Sequence, residues 1–287
     1  MKIAVLATGG LGLSCISLLA DKYELVFIAT DKESREIIGL ANAKSIPLFI
    51  GNPRNRKLYE FAGKFESDIL FSINYLFIIE EDIFSKAKYT INFHGSLLPK
   101  YRGRTPHVWA IINGERETGV TAHLVDKDCD AGNIILQERL LIGDDDSGGD
   151  ILNRYATIYP KMINSIIEMV EKGNVNSIAQ DHTKATWFGK RTAEDGEINW
   201  SWFKERIRNW VRAQRYPYPG AFTFYNKTKI VIEKVIYSDY GFNEKDENGF
   251  VLFINPNPVI KTPNGTIELK EIRQGREIIK PGIVLGK

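Results

Sequence analysis

Over its first hundred residues the chain alternates short apolar runs with amphipathic stretches of helical period. KIAVLA (2–7) has the length and continuity of a buried strand. Gly9, Gly10 and Gly12 follow, and then a helical pattern in LSCISLLADK. ELVFIAT (24–30) is a second strand, ESREIIGLANAK a helix, IPLFI a third strand and RKLYEFAGKF another helix. DILFS and KYTINFH supply strands four and five. Strands alternating with helices in this way predict an α/β fold, a Rossmann-like and mostly parallel sheet with helices on both faces.

Beyond residue 104 the pattern loosens. TPHVWAIINGE reads as a helix, with Thr105 at the N-cap and Pro106 at the first helical position. TGVTAHLVD and NIILQERLLI read as two strands, and residues 147–172 as one long helix. Residues 185–220 are dense in Trp, Arg, Tyr and Pro. From 221 onward β-like pieces separated by turns dominate: AFTFYN, KIVIEKVIYS, FVLFIN, PVIKTPNGTIELKEI and GIVLG. These predict a small all-β, OB-like C-terminal domain in the form of a partly open barrel. The expected division is a catalytic domain over residues 1–200 and the β-rich domain over 201–287.

Composition narrows the function. With 38 basic and 36 acidic residues the net charge is +2, which lacks the basic excess of a nucleic-acid binder. The apolar fraction of 43% is that of a chain with a proper core. The longest apolar stretch, ILFSINYLFII (69–79), falls short of the roughly 20 residues a membrane-spanning helix needs. Two cysteines, Cys15 and Cys129, make no disulfide framework, and MKIAVLATGG does not read as a signal peptide. A cytoplasmic protein without membrane or nucleic-acid partners is expected.

Three motifs carry candidate chemistry. GLGLSC (10–15) approaches the glycine fingerprint of dinucleotide sites, with Asp31 just past the second strand. Cys15 stands where that fingerprint needs a glycine, so the turn is read instead as one that admits a phosphate or sugar at a helix N-terminus. DKDCDAGNIILQ (126–137) begins like a calcium loop, but Ala131 and Gln137 occupy positions that need Gly and Glu, so no metal is expected. Either it is a solvated acidic hairpin, or one of its carboxylates orients a base.

The third motif is INFHGSLLPKYRGR (91–104). Side chains two apart on a strand share a face, so Asn92 and His94 project together. They end the fifth strand, at the carboxyl edge where open α/β sheets bind ligands. An amide can donate to a developing oxyanion, and an imidazole exchanges protons near neutral pH. Of the four histidines, His182 lies in a polar stretch, His107 on the following helix, and His123 within a strand as a core residue would. His94 is the best catalytic candidate; a histidine held for packing at the strand end is the other reading.

These residues resemble the 10-formyltetrahydrofolate-dependent formyltransferase superfamily. The similarity lies in N-x-H-x-S-L-L-P-x-Y-R-G, in E-T-G-V-T, and in an Asp-x-Gly at Asp130. It extends through FGKRTAEDGEINW and RYPYPGAFTFY into the β-rich tail. The resemblance implies a catalytic trio of Asn92, His94 and Asp130, with Asp130 orienting His94 and favouring its protonated form. It implies 10-formyltetrahydrofolate as co-substrate and no metal. The backbone around Phe77, Ile78 and Ile79 would meet the pterin, while Arg104 and the loop Asp126, Lys127, Asp128 and Cys129 would complete the folate pocket.

Within the superfamily, the glycinamide ribonucleotide enzymes resemble one another in a Gly-x-Gly-Ser-Asn turn that this chain lacks. Methionyl-tRNA formyltransferases share the β-domain but also a long basic insertion after the second strand, absent here. HGSLLPKYRGR and FGKRT are most similar to the formyltransferase half of the bifunctional UDP-4-amino-4-deoxy-arabinose enzyme of polymyxin resistance. The implied activity is formyl transfer to the amine of a dTDP-, UDP- or GDP-linked amino-dideoxyhexose, for O-antigen or lipopolysaccharide synthesis. Methionyl-tRNA formylation, or a non-catalytic nucleotide-binding module, is the alternative. Candidate sugar-nucleotide contacts are Gly10, Gly12, Lys100, Arg191, Tyr216 and Tyr218, with Trp187, Lys190 and Arg215 nearby; their other reading is that they join the two domains. A homodimer through the β-module is implied by analogy alone.

Overall fold

A computed structural model describes residues 1–287. In chain order the elements are β1 (Lys2–Ala7), α1 (Gly9–Ala20), β2 (Glu24–Thr30), α2 (Arg35–Ala43), β3 (Leu48–Ile50), α3 (Lys57–Ala62), β4 (Ile69–Ile73), α4 (Glu81–Phe84) and β5 (Tyr89–His94). Then come β6 (Arg102–Gly103), α5 (Pro106–Ile112), β7 (Glu117–Leu124), β8 (Ile134–Leu141), α6 (Gly148–Glu171), β9 (Trp187–Phe188) and α7 (Lys204–Ala213). Five strands close the chain: β10 (Ala221–Tyr225), β11 (Thr228–Ser238), β12 (Val251–Ile254), β13 (Pro258–Thr262) and β14 (Gly265–Gln274).

The chain forms two compact units. The first comprises Met1–Gly103, Thr118–Leu140 and Asn153–Phe188; the second comprises Arg104–Glu117, Leu141–Leu152 and Gly189–Lys287.

In the first unit seven strands lie in the order β3-β2-β1-β4-β5-β7-β8. The pairs β2–β3, β1–β2, β1–β4 and β4–β5 are parallel, and β5–β7 is antiparallel. The sheet is the mostly parallel one expected, with an antiparallel margin. Ile3, Ala4, Val5, Leu6 and Ala7 of the central β1 are fully buried, because helices cover both faces and leave the strand no polar side. Ala4 and Leu6 pack with Leu58, Ala62 and Ile83 from α3 and α4, where Phe27, Phe61 and Phe65 form an aromatic cluster. On the other face α1 and α2 close over Ala7: a Cβ on Gly12 would lie 2.9 Å from Ala7 Cβ and 3.4 Å from Ile37 Cδ1.

The second unit carries an antiparallel sheet ordered β10-β11-β14-β13-β12, which leaves β10 and β12 as edges. The C-terminal segment spans both edges. Gly282 N–H donates to Val251, Leu285 N–H to Gly249 and Gly286 N–H to Phe224, while Asn226 N–H donates to the Lys287 carbonyl. Both sheet edges are thus met by non-strand backbone, which satisfies edge groups that would otherwise face water or another chain. Helix α7 precedes this sheet. Its charged exterior and buried Ile207, Trp210 and Val211 form an amphipathic helix inside the Trp- and Arg-rich stretch, where the sequence pattern showed none.

Two glycines of the recognisable motifs are there for room. A Cβ on Gly119 would stand 2.2 Å from the Glu138 carbonyl oxygen and 2.5 Å from Leu97 Cδ2. One on Gly132 would stand 1.9 Å from the Leu124 carbonyl oxygen. Gly119→Ala is expected to destabilise the fold by about 1–3 kcal/mol, the usual cost of overpacking, read as a lowered urea midpoint at unchanged slope.

Candidate active site

The site is built where β5 ends. In the antiparallel β5–β7 register Asn92 lies opposite His123, and His94 opposite Thr121. Past His94 the chain enters a loop that Thr121 and its neighbours tie down. Thr121 Oγ1 donates to the Ser96 carbonyl (2.6 Å) and accepts from Leu98 N–H (3.1 Å). Gln137 Nε2 donates to the Leu98 carbonyl (2.8 Å), and the Tyr155 hydroxyl to the Gly95 carbonyl (2.9 Å). These bonds give the polar letters of H-G-S-L-L-P and E-T-G-V-T a physical reason. A buried loop must have its backbone groups paired, and side chains from β7, β8 and α6 pair them.

The loop returns Tyr101 to His94. His94 Nε2 lies 2.7 Å from the Tyr101 carbonyl oxygen, which can only accept, so Nε2 carries a hydrogen. Nδ1 then faces Asp130 Oδ1 at 3.4 Å. His94 is 6% exposed. Burial lowers its pKa from the ordinary 6.5; Asp130 and the Tyr101 carbonyl oppose that without reversing it. Burial thus works against the cation, because water that would solvate it is excluded, while Asp130 favours it.

Asp130 itself sits at φ +54°, in the left-handed region, just before Ala131 and the tight Gly132. Gly103 N–H donates to its Oδ2 (2.9 Å), Asn92 Nδ2 lies 3.5 Å from Oδ1, and His123 Nε2 lies 3.7 Å from Oδ1. Burial works to protonate this carboxyl, but His94, His123 and the Gly103 amide together hold its pKa well below the usual carboxylate range. It is an anion in a nearly closed site.

His123 Nδ1 lies 2.7 Å from the Leu124 carbonyl oxygen and therefore carries hydrogen, which leaves Nε2 to accept from Asn92 Nδ2 at 3.1 Å in the neutral ring. One amide hydrogen of Asn92 is thus engaged well. The other reaches Asp130 only over 3.5 Å, a bond weak enough to be given up to a better acceptor.

The remaining candidates are distributed as follows. Phe77 and Ile79 pack against the core beside β4, Ile78 is 68% exposed, and the backbone N–H and C=O groups of these three residues make no hydrogen bond. This segment follows β4, which pairs with β5 through Ser72–Asn92 and Ile73–Phe93. Asp126, Lys127, Asp128 and Cys129 are exposed on the loop leading to Asp130. Lys100 and Gly10 are exposed; Gly12 is buried in helix packing. At the glycine turn α1 begins at Gly9, whose N–H is taken by Ser34 Oγ (2.9 Å), while Asp31 Oδ1 accepts from Ser34 N–H. Cys15 is packed into the core, its thiol pKa raised by burial to about 12.

Arg104, Arg191, Tyr216 and Tyr218 belong to the second unit. Arg191 donates to Gln214 Oε1 and the Asp195 carbonyl, and its guanidinium lies over Trp210 and Trp109. The Tyr218 hydroxyl meets His107 Nε2 at 2.6 Å, and the Tyr216 ring is 81% exposed.

Sequence reasoning missed His123 as a member of this site. Its signal was present: Thr121 and His123 are two apart on a strand and so share a face. What they face, β5, is a matter of register.

The formyl transferase family model matches residues 1–167, and the model of the formyl transferase C-terminal domain matches residues 190–282. The bifunctional polymyxin resistance protein ArnA of Wigglesworthia glossinidia brevipalpis is 36% identical over 269 residues, covering 89% of this chain and 40% of that protein. The chain therefore spans about two-fifths of that relative's length. Among solved structures, WlaRD, a sugar 3N-formyltransferase crystallised with dTDP and 5-N-formyltetrahydrofolate, superposes with a TM-score of 0.71 at 21% identity over 94% of this chain and 98% of that one. The N-formyltransferase of Helicobacter canadensis, in complex with folinic acid and dTDP-3-aminofucose, gives 0.72 at 21% identity with the same coverages. At that identity the structures establish the shared fold. Residues 1–167, more than half of this 287-residue chain, fit the formyl transferase model, and the chain belongs to that family.

Proposed function

We propose that this chain transfers the formyl group of 10-formyltetrahydrofolate to the amine of a nucleotide-linked amino sugar, with Asn92, His94 and Asp130 as its catalytic residues. The observation that carries the reading is the convergence of Asn92, His94 and an ionised Asp130 at the carboxyl end of β5.

In the reaction the acceptor nitrogen bonds to the formyl carbon, the bond from that carbon to folate N10 breaks, and one proton passes from the acceptor nitrogen to N10. Asn92 donates its weakly held amide hydrogen to the formyl oxygen as negative charge gathers there. His94, held by Tyr101 through Nε2 and set against Asp130 through Nδ1, takes up the acceptor's proton. Asp130 stabilises the imidazolium so formed, and His94 then releases the proton to the leaving nitrogen. The unpaired backbone of Phe77, Ile78 and Ile79 fits the edge of a pterin ring, whose donors and acceptors would complete those groups.

Two features support a sugar over tRNA. The passage from β2 to α2 takes only the four residues Asp31 to Ser34, and the chain is nearly neutral. The Helicobacter canadensis N-formyltransferase is in complex with dTDP-3-aminofucose, and WlaRD is a sugar 3N-formyltransferase crystallised with dTDP, which supports the same substrate class here. A reaction in the cytoplasm agrees with two free cysteines; separately, no helix is long and apolar enough to cross a membrane.

The test is mass spectrometry after incubation with 10-formyltetrahydrofolate and a panel of dTDP-, UDP- and GDP-linked 3- and 4-amino-dideoxyhexoses. One sugar gaining the mass of a formyl group is expected, with no product from charged initiator tRNA. Formylated methionyl-tRNA and no formylated sugar would reverse the substrate assignment.

A further inference from the structure

Gln180 lies outside every motif, in the segment after α6, yet it is buried to 5% exposure beside the site. Its Nε2 donates to two carbonyls of the Asp130 turn, that of Asp130 itself (2.9 Å) and that of Gly132 (2.7 Å). Its Oε1 accepts from Arg102 Nη2 (2.6 Å). Arg102 is 3% exposed and also donates to His182 Nδ1 at 3.2 Å.

We propose that Gln180 is a positioning residue for the formyl-transfer site: it clamps the left-handed Asp130 turn to Arg102, so that the Asp130 carboxylate is held against His94. The proposal rests on the catalytic reading of Asn92, His94 and Asp130.

The geometry makes the case in three steps. First, Asp130 occupies φ +54°, a left-handed conformation that Asp tolerates better than most residues but that outside contacts make secure. Gln180 binds the backbone on both sides of Ala131 and thereby fixes the turn from outside. Second, the far end of the clamp is the segment that carries the other anchors. Tyr101 offers its carbonyl to His94 Nε2, and Gly103 donates its N–H to Asp130 Oδ2. That segment is pinned in turn by Thr186, which accepts from Arg102 N–H (2.8 Å) and from Tyr101 N–H (2.8 Å), and by Tyr101 stacking on Phe188 at 4.8 Å. Residues 180–188 therefore hold both members of the His94–Asp130 pair. Third, the chemistry at position 180 requires an amide. It must accept from a guanidinium and donate to carbonyls at once; Glu cannot donate when ionised, and Lys or Arg cannot accept. The amide's orientation is set by these partners, since a carbonyl facing carbonyls would be repelled.

Gln180→Met keeps the volume and removes both functions. The expected result is a fall in kcat on the order of a hundredfold, as for a misplaced reacting group, with KM for both substrates within about twofold of wild type. The His94 ring, followed by NMR of histidine-labelled protein, is expected to titrate at lower pH, because Asp130 is the group that favours its cation. Asp130, His123 and Arg102 are the titratable and charged groups acting on His94, so the shift reports Asp130 moving away. A folded Gln180→Met variant with unchanged kcat and unchanged His94 titration overturns the proposal. Should that variant not fold, Gln180→Glu keeps the bond from Arg102 and loses the donor, and an unaltered kcat there overturns it equally. The titration needs no sugar: if wild type formylates no acceptor, the functional reading fails, while the NMR result alone decides whether Gln180 holds Asp130.

Discussion

Replacing His94 with glutamine is expected to lower kcat by about 10²- to 10⁴-fold while leaving the protein folded, the range that a positioned acid–base group supplies. Glutamine fills much of the buried space, and its amide can still donate to the Tyr101 carbonyl. What it cannot do is take a proton facing Asp130. The comparison therefore separates proton transfer from packing, the two readings of a strand-end histidine. A thermal unfolding midpoint close to that of wild type, together with the kinetic loss, favours the first; near-wild-type turnover would remove His94 from the mechanism.

The pH profile carries the same inference with a sign. Burial holds the His94 pKa below its ordinary 6.5, so the base form prevails at neutral pH and the acid limb of kcat is expected below that value. Asp130 opposes the shift. Asp130→Asn is thus expected to move the limb to still lower pH while reducing kcat, because the imidazolium loses its counter-charge. Linkage adds a stability consequence. The unfolded state binds His94's proton more readily than the native state, so the native state gains stability as pH rises through the window between the two pKa values and loses it on acidification.

Asn92→Ala is expected to cost about 10²- to 10³-fold in kcat, the usual effect of removing one oxyanion donor. KM should change little, because the bond to the formyl oxygen strengthens only as charge develops there. His123 lends this prediction its geometry. By accepting one amide hydrogen at 3.1 Å it holds the Asn92 plane, and the second hydrogen is left on a long contact to Asp130. Steady-state kinetics on the formylated sugar reads the outcome; a loss confined to KM would assign Asn92 to ground-state binding instead.

Much of this arrangement is legible in the order of residues. The alternation along INFH puts Asn92 and His94 on one face whatever the rest of the fold does, because the period of a strand is a local property of its backbone. The continuous apolar run of β1 declares a strand covered on both faces. The glycines of E-T-G-V-T and D-A-G are equally local, though only the structure reveals that Glu138 and Leu124 carbonyls fill the space beside them.

The glycine turn shows the limit. Its spacing places glycines ahead of a helix, but it does not reveal that the first N–H, that of Gly9, goes to Ser34, a partner 25 residues along the chain. Which donor is free is a question about every neighbour in space, and spacing cannot answer it.

Strand periods, the α/β alternation, the β-rich tail and the polar face of β5 follow from the order of residues alone, since each depends on contacts within a few positions. The company those residues keep does not. Antiparallel pairing of β5 with β7 sets His123 opposite Asn92 across 31 residues, and Gln180 reaches the Asp130 turn from 50 residues away. Such partners are selected by register and packing, which only the folded chain decides.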